Sequence, residues 1–563
     1  MNNQNSDLAW FQSWKSSPDY AKFAARPIAY FCAEFALENR IPTFSGGLGV
    51  LAGDVVREAA DRELHMVAVG LYYRLGYVCP TTNANGDMVE VCTEIPPQRV
   101  GLEPVLDGSG KPLLIRVPIQ NRSIDVRAWK WTRGNLNAYL LDTDVETNTA
   151  ADRAITHRLY VSDRETRFKQ EIVLGIGGLR FLEALAIHPS IYHLNEGHSA
   201  LLGLELIRHQ MKERQLGFDE AKQFARRRVV LTNHTLVAAG NEIFTDDLAS
   251  LLLKEYSEEI AVPMAEIMRM GLVADSSSFS MTMLALRCAS VVNAVSKLHA
   301  KKVKEIWHDH PMAAVTNGIH LPTWDRVDAD VTEPGTFWRI HQQRKTELLA
   351  LVKEKTGRAW DPDTLLLGWA RRIASYKRPL CILEDAKRFA EIARNTKRPV
   401  RILFSGRPHP ADETGTELLR QLQSLADGSL KDVAAYLPDY NLGLSAAMVS
   451  GCDVWLNTPV VGFEACGTSG MKASLNGVLP CSTKDGWVDE ADLSTSGWLL
   501  DDAHVSRDIL DRIEKTIAPL YYERNTQGIP EAWEEGMRQT RAMIMGQFSA
   551  TRMLRGYVQT LYT

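Results

Sequence analysis

DTLLLGWARR (363–372), VRILFSGRP (400–408), DVAAYLPDY (432–440), DVWLNTP (453–459) and VLPCSTKDG (478–486) are the stretches that decide the fold. Each is a short, nearly unbroken apolar run closed by polar or glycine punctuation, which is how a strand buried on both faces of a parallel sheet reads. Between them, PLCILEDAKRFAEIARNT, TGTELLRQLQSLADG and GLSAAMVSG repeat apolar positions at helical spacing. Alternating strands and helices predict a doubly wound α/β sheet rather than a sandwich. Working outward, RPIAYF (26–31), HMVAVGLYY (65–73), IYHLNEGH (191–198), RVVLTNH (228–234) and MAAVTNG (312–318) repeat the pattern, with helical segments at 166–188 and 199–214. A second α/β domain is expected.

Residues 77–145 alternate apolar and polar positions, as in LLIRVPIQ and SIDVRAWKW, and predict a mostly β insertion. The Pro- and Trp-rich segment 319–345 lies between the two α/β patterns and reads as the hinge. The expected domains are therefore 1–320 and 321–545. No internal repeat or low-complexity tract interrupts them, and Arg226-Arg227-Arg228 reads as the basic last turn of a helix before a strand.

The 563 residues are 45% hydrophobic and 24% charged, an ordinary globular composition with length for a large core. Formal charge is 64 − 69 = −5, which leaves no basic excess to hold a polyanion, so nucleic acid is not an expected partner. Eight cysteines without a C-x-x-C pair argue against a disulfide framework or a zinc site. The N-terminal MNNQNSDLAWFQSWKSS has no basic region followed by an apolar one, and no run reaches membrane-spanning length. The expectation is a cytoplasmic protein without membrane association.

Three clusters carry candidate chemistry. In SGGLGVLAGD (45–54), Gly46 and Gly47 stand before a helical pattern, where a backbone turn can aim N–H groups at an anion. That pattern suits an unliganded strand-to-helix turn equally well. In FEACGTSGMKASLNG (463–477), Gly467, Thr468, Ser469 and Gly470 offer an N–H and hydroxyl cradle, with Lys472 where the following helix would begin. A lone lysine there would read as solvent-facing, but these neighbours favour a phosphate clamp or a Schiff-base lysine. The spacing is not that of a nucleotide P-loop. In WARRIASYKR (369–378), Arg371, Arg372, Lys377 and Arg378 follow a strand end, where open α/β sheets bind ligands. Taken alone, that run reads as a solvated helix face; beside an anion it would suit a dianionic phosphate.

Taken together and in order, AEFALENRIPTFSGGLGVLAGD, YHLNEGHSALLGLELIR, TNHTLVAAGNEIF, VTNGIHLPTW, ARRIASYKRP, GRPHPADE and EACGTSGMKASLNGVLPCSTKDGWVDE resemble the signatures of the α-glucan phosphorylases, the glycogen and maltodextrin phosphorylase group. They span residues 34–490, and the resemblance is to the short bacterial form.

The resemblance implies two Rossmann-like domains facing a cleft, the glycosyltransferase B architecture, with 546–563 as a helix crossing back to the first domain. It implies that Lys472 carries pyridoxal 5′-phosphate, whose phosphate serves as proton donor and relay beside the substrate phosphate. Gly467, Thr468, Ser469, Arg371 and Tyr440 then match cofactor contacts, and Arg372 and Lys377 match the cations that hold the two phosphates together. Gly46 and Gly47 match the approach to the substrate phosphate. Asn195, Glu196, Asn317 and Glu464 match sugar contacts, and His234 stands near the reacting sugar. The implied reaction is reversible: an α-1,4-glucan and orthophosphate give a shortened glucan and α-D-glucose 1-phosphate, with retention. No enzyme carboxylate nucleophile is required, so Glu464 is not read as half of a glycosidase pair. Family members are often dimers, which makes a homodimer the prior, and the short form implies no allosteric nucleotide control.

Departures from the family pattern fall at Ser290, where mammalian enzymes carry a histidine read as lining the sugar site, at Arg407, at Ala294, and at VAAG (237–240). His308-Asp309-His310 reads as a solvated loop rather than a metal site, and no metal is expected. Trp129, Trp131 and Trp324 read as packing residues, with sugar stacking as the alternative. Competing functions are a glycogen or starch synthase, which the GTSGMK block disfavours, a glucan-binding or regulatory descendant without turnover, and, more weakly, an aminotransferase.

Overall fold

The computed structural model describes residues 3–77, 80–82, 88–90, 93–235, 242–273, 277–327, 329–409 and 412–563. It is a mixed α/β structure whose chain divides into two compact units. The N-terminal unit comprises Asp7–Val295, Ala300–Val315 and Leu554–Thr563; the C-terminal unit comprises Met1–Ser6, Ser296–His299 and Thr316–Met553.

The N-terminal unit is built on one sheet. Its strands are β1 (Ile28–Cys32), β2 (Met66–Leu71), β3 (Glu103–Pro104), β4 (Ile115–Ile119), β5 (Arg122–Arg133), β6 (Leu136–Asp142), β7 (Ile191–Asn195), β8 (Val229–Asn233), β9 (Val291–Ala294) and β10 (Met312–Ala314). Their order is β10-β9-β8-β7-β1-β2-β6-β5-β3, with β4 on β5. Pairs from β10 through β6 are parallel, while β5 pairs antiparallel with β6, β3 and β4. In the β-rich stretch before residue 145, β3 to β6 extend this sheet, while Pro80–Thr82 and Met88–Glu90 pair antiparallel as a two-stranded sheet of their own. Strands β1, β2, β7 and β8 are buried at every residue, as unbroken apolar runs require. The helical pattern at 166–188 forms Arg164–Ile172, a π-helical turn Val173–Gly177 and Gly178–Ala184. Helix α1 (Gly47–Asp61) starts at the second glycine of SGG, and α2 (Leu202–Arg214) follows β7.

The C-terminal unit holds β11 (Leu365–Ala370), β12 (Val400–Ser405), β13 (Ala434–Leu437), β14 (Val454–Asn457), β15 (Leu479–Thr483) and β16 (Trp498–Leu500). Every pair is parallel, in the order β13-β12-β11-β14-β15-β16. The order reverses between β11 and β14, which opens a crevice at their carboxyl ends. Helix α3 (Thr336–Thr356) lies partly in the segment read as a hinge, and it carries Lys345, fully buried, to Asp453 at 2.6 Å. Asp453 also accepts from Leu366 N of β11 at 2.7 Å and pairs with His341 at 2.7 Å, so one buried charged group ties α3 to β11 and to the start of β14. Helix α4 (Thr468–Leu475) follows β14, and the last helix, α5 (Ala550–Thr560), contains the unit boundary between Met553 and Leu554. Each unit has its own apolar core. Among the described residues no helix is long and apolar enough to cross a membrane.

Candidate active site

In the N-terminal unit, the sequence-predicted residues converge at the carboxyl edge of β1, β7 and β8, where the strand order reverses. Asn195 ends β7 beside Cys32 of β1 and sends its amide nitrogen to the Cys32 sulfur at 3.2 Å. Its Oδ1 accepts from Nε2 of His234, just past β8, at 2.6 Å, which sets the ring's orientation. Glu196 has φ 72, a left-handed conformation that a non-glycine residue holds only when its surroundings impose it. Here its carboxylate accepts from His234 N at 2.5 Å and from the Thr235 hydroxyl at 3.1 Å. Burial pushes the Glu196 carboxyl up to about 7, against the lowering effect of those donors. Asn195, Glu196 and His234 thus form one bonded cluster.

Past β1, Glu34 is buried and accepts from Ser45 N at 2.7 Å, Gly46 N at 3.3 Å and the Tyr160 hydroxyl at 2.8 Å. It fixes the turn that launches α1. Gly46 is the N-cap and gives no side-chain cap, and a Cβ on Gly46 or Gly47 would meet nothing within 4 Å. An anion can therefore approach this helix start along bare backbone, in a favourable potential.

In the C-terminal unit the residues gather around the β11/β14 crevice. Arg371 leaves β11 and crosses it, donating to Leu456 O at 3.2 Å and reaching the Ser469 hydroxyl at 3.5 Å. Its Nε is buried with no acceptor among the described residues, and burial lowers its affinity for the proton. Arg372 follows on the exposed side. Lys377, 7% exposed, places Nζ 2.5 Å from Glu464 Oε2 and 4.9 Å from the centre of the Tyr376 ring. Burial alone would raise the Glu464 carboxyl, but the charges of Lys377, Arg371 and Arg372 outweigh it and hold the group below the usual carboxylate range. Tyr440, beyond β13, donates its hydroxyl to Ser445 at 3.1 Å. Asn317 has a buried side-chain oxygen with no partner among the described residues, a vacant acceptor that a sugar hydroxyl would satisfy.

Helix α4 begins at Thr468, four residues before Lys472, because Gly467 at φ 80 serves as N-cap without a side-chain cap. Thr468, Ser469 and Gly470 thereby present first-turn N–H groups. Lys472 is 5% exposed, with Nζ 3.4 Å from the Thr468 hydroxyl and 4.2 Å from the centre of the Trp324 ring. A buried lysine, an uncapped helix start, two hydroxyls and Arg371 form a donor set that fits a phosphorylated aldehyde such as pyridoxal phosphate: the amine meets the carbonyl and the cradle meets the phosphate.

The model for the carbohydrate phosphorylases matches residues 180–324 and 315–491. A maltodextrin phosphorylase of Thermococcus litoralis is 36% identical over 99% of this chain and 72% of its own. A glycogen phosphorylase of Mycobacterium tuberculosis is 33% identical over 100% of this chain and 74% of its own. The chain belongs to the carbohydrate phosphorylase family. An uncharacterised protein of Methanocaldococcus jannaschii is 31% identical over 95% of this chain and the whole of its own.

Within this phosphorylase, Lys377 and Glu464 meet as an ion pair that the separate motifs did not reveal. Trp324, read as packing, is buried but also presents its face to Lys472. Trp129 and Trp131 donate to Asp142 at 2.8 Å and Glu38 at 2.9 Å, as buried indoles do. Ser290 stands at the amino end of β9, where its hydroxyl donates to Val229 O at 2.9 Å, at the opposite edge of the sheet from Asn195 and His234. Arg407 pairs with Asp439 at 3.3 Å, Ala294 ends β9, and VAAG (237–240) lies outside the described residues. Glu34, Thr235 and Asp485 contribute without having been singled out, although all three lie inside the quoted blocks. His308 and Asp309 are exposed, 3.4 Å apart. Glu171, His198 and Glu242 bring ligand atoms within 4.8 Å, but Arg164 and Arg167 already pair with Glu242 at 2.9 and 3.1 Å, supplying the charge a cation would bring.

Proposed function

We propose that this chain is an α-1,4-glucan phosphorylase: a pyridoxal-phosphate-dependent glycosyltransferase that reversibly converts a maltodextrin or glycogen chain end and orthophosphate to α-D-glucose 1-phosphate with retention. The observation that carries the reading is the buried Lys472 on the uncapped first turns of α4, beside a crevice that also holds Lys377, Arg371 and Glu464. The names of the relatives, maltodextrin and glycogen phosphorylase, support the substrate class.

Lys472, Gly467, Thr468, Ser469, Arg371 and Tyr440 would hold the cofactor. When bound, that group supplies a phosphate able to give and take a proton beside the substrate phosphate. The chain's own residues do the rest. Lys377 and Arg372 neutralise orthophosphate, since adjacent dianions repel strongly without cations; Gly46 and Gly47, in the N-terminal unit, offer bare backbone to an anion. Glu464 and Asn317 in the C-terminal unit, and Asn195, Glu196 and His234 in the N-terminal unit, are the residues this reading assigns to sugar hydroxyls. Holding both reactants converts a bimolecular attack into one between positioned groups.

The reading takes 1–320 and 321–545 as the two Rossmann-like domains of a glycosyltransferase B fold, with 546–563 as the returning helix. In its support, each unit has its own sheet with a run of parallel strands whose carboxyl edge carries its candidate residues, and the unit boundary falls inside α5. A cytoplasmic homodimer completes the reading. The test is glucose 1-phosphate formation by purified, cofactor-loaded protein from maltoheptaose and orthophosphate. Product that requires phosphate is expected; bound cofactor without product across several glucans would mark a binding descendant.

A further inference from the structure

The loop 462–467 carries Glu464 and ends in the N-cap of α4, so its backbone path sets both the sugar-facing carboxylate and the cofactor cradle. No regular ladder holds it. It is held instead by the turn that follows β15. Asp485 Oδ2 accepts from Glu464 N at 2.9 Å. Its Oδ1 accepts from Gly486 N at 2.8 Å, closing the turn. Trp487 N donates to Cys466 O at 3.0 Å, and the Ser296 hydroxyl donates to Ala465 O at 2.7 Å. The fit is tight: Gly486 has φ 57, and a Cβ there would lie 2.3 Å from Cys466 O. Asp485 is 1% exposed and accepts backbone amides, so its carboxylate is spent on positioning this loop.

We infer that Asp485 is a positioning residue for the phosphorolysis proposed above, holding the backbone of Glu464 in place so that the glutamate side chain alone can move between Lys377 and a sugar hydroxyl. The logic is one of division. Glu464 is paired to Lys377 at 2.5 Å, and both are wanted by different reactants: the lysine by phosphate, the glutamate by sugar. The exchange needs a side chain free to swing on a fixed backbone, and the amides of Glu464 and Gly486 gathered on one buried carboxylate provide the fixed part. An aspartate serves where asparagine would not, since two oxygens must accept from both sides of the turn.

The experiment compares holoenzyme with Asp485→Asn, which keeps one acceptor oxygen, Asp485→Ala, which keeps none, and the control Asp492→Asn on an exposed loop. Amide hydrogen exchange of peptides covering 462–467 should rise at least tenfold in Asp485→Ala and less in Asp485→Asn, with the control unchanged. This arm stands even if the wild type shows no phosphorolysis, so it separates failure of the brace from failure of the functional reading. In turnover assays the glucan KM should rise at least tenfold in Asp485→Ala while the orthophosphate KM shifts less than threefold. Unchanged exchange in 462–467, or a lower kcat with both KM values at wild-type level, would overturn the inference; the latter is the mark of a smaller folded fraction. If Asp485→Ala does not fold, Asp485→Asn carries the same two readouts, and wild-type values for both would refute the role.

Discussion

The contact between Lys377 and Glu464 has to be broken for either residue to meet a reactant, so each variant should report on the other. Lys377→Ala removes the cation that holds Glu464 ionised in a buried place and leaves no cation at that point for phosphate. The expected outcome is retained cofactor absorbance with kcat/KM for orthophosphate down by about two to three orders of magnitude, the usual cost of losing one preorganised charge. Lys472→Ala should lose cofactor and turnover together. Absorbance and steady-state kinetics on the same preparations check both, and a Lys377→Ala enzyme with wild-type kcat/KM would refute the clamp. These residues were legible in the sequence because cations and glycines recur in compact blocks. Their pairing was not, since Glu464 lies 87 positions from Lys377, and only the crevice between β11 and β14 brings the two together.

At the scale of the element, α4 shows how a short helix is made to begin where an anion is wanted. Gly467 takes φ 80 and its position for a Cβ is 3.3 Å from Glu464 Cγ, so a side chain there meets backbone strain and crowds the stem of Glu464. Gly467→Ala should destabilise the C-terminal unit by about 1–2 kcal/mol and weaken cofactor retention; thermal melting and equilibrium dialysis of the cofactor measure the two. The buried group joining α3 to the sheet should be more costly to disturb. Lys345→Ala strands Asp453, fully buried, without its cation, and a loss of about 3–5 kcal/mol is expected in urea unfolding of that unit. Most strands could be read beforehand because parallel strands are unbroken apolar runs. β9 escaped because Val291–Ala294 is only 4 residues long and sits among helical patterns, and β7 proved shorter than its apolar run because Glu196 turns the chain out of the sheet. The extension of one sheet through β5 and β6 depends on pairing between distant segments, which periodicity does not encode.

Across the whole molecule, acids buried for function make stability depend on pH in a direction opposite to ordinary acid denaturation, and Glu196 allows this to be tested. Its carboxyl is raised from 4.5 to about 7 by burial, so between those values the folded chain holds a proton that the unfolded chain has released. The slope is then negative: the contribution is fully present below 4.5 and is lost as pH rises through about 7. At about 1.4 kcal/mol for each tenfold change in proton affinity, the whole effect is at most ~3 kcal/mol. Glu196→Gln keeps an oxygen to accept from His234 N and Thr235 while abolishing the titration. The variant should therefore melt with the wild type near pH 4.5 and above it near pH 8, the gap opening between. Because a chain of two units need not unfold in one step, the comparison belongs to the transition of the N-terminal unit. Parallel melting curves at all pH values would mean that Glu196 is already ionised in the folded protein. A widening gap would mean that the protein keeps, at a strained position, an acid whose removal stabilises it, which is expected of a residue retained for binding rather than for folding.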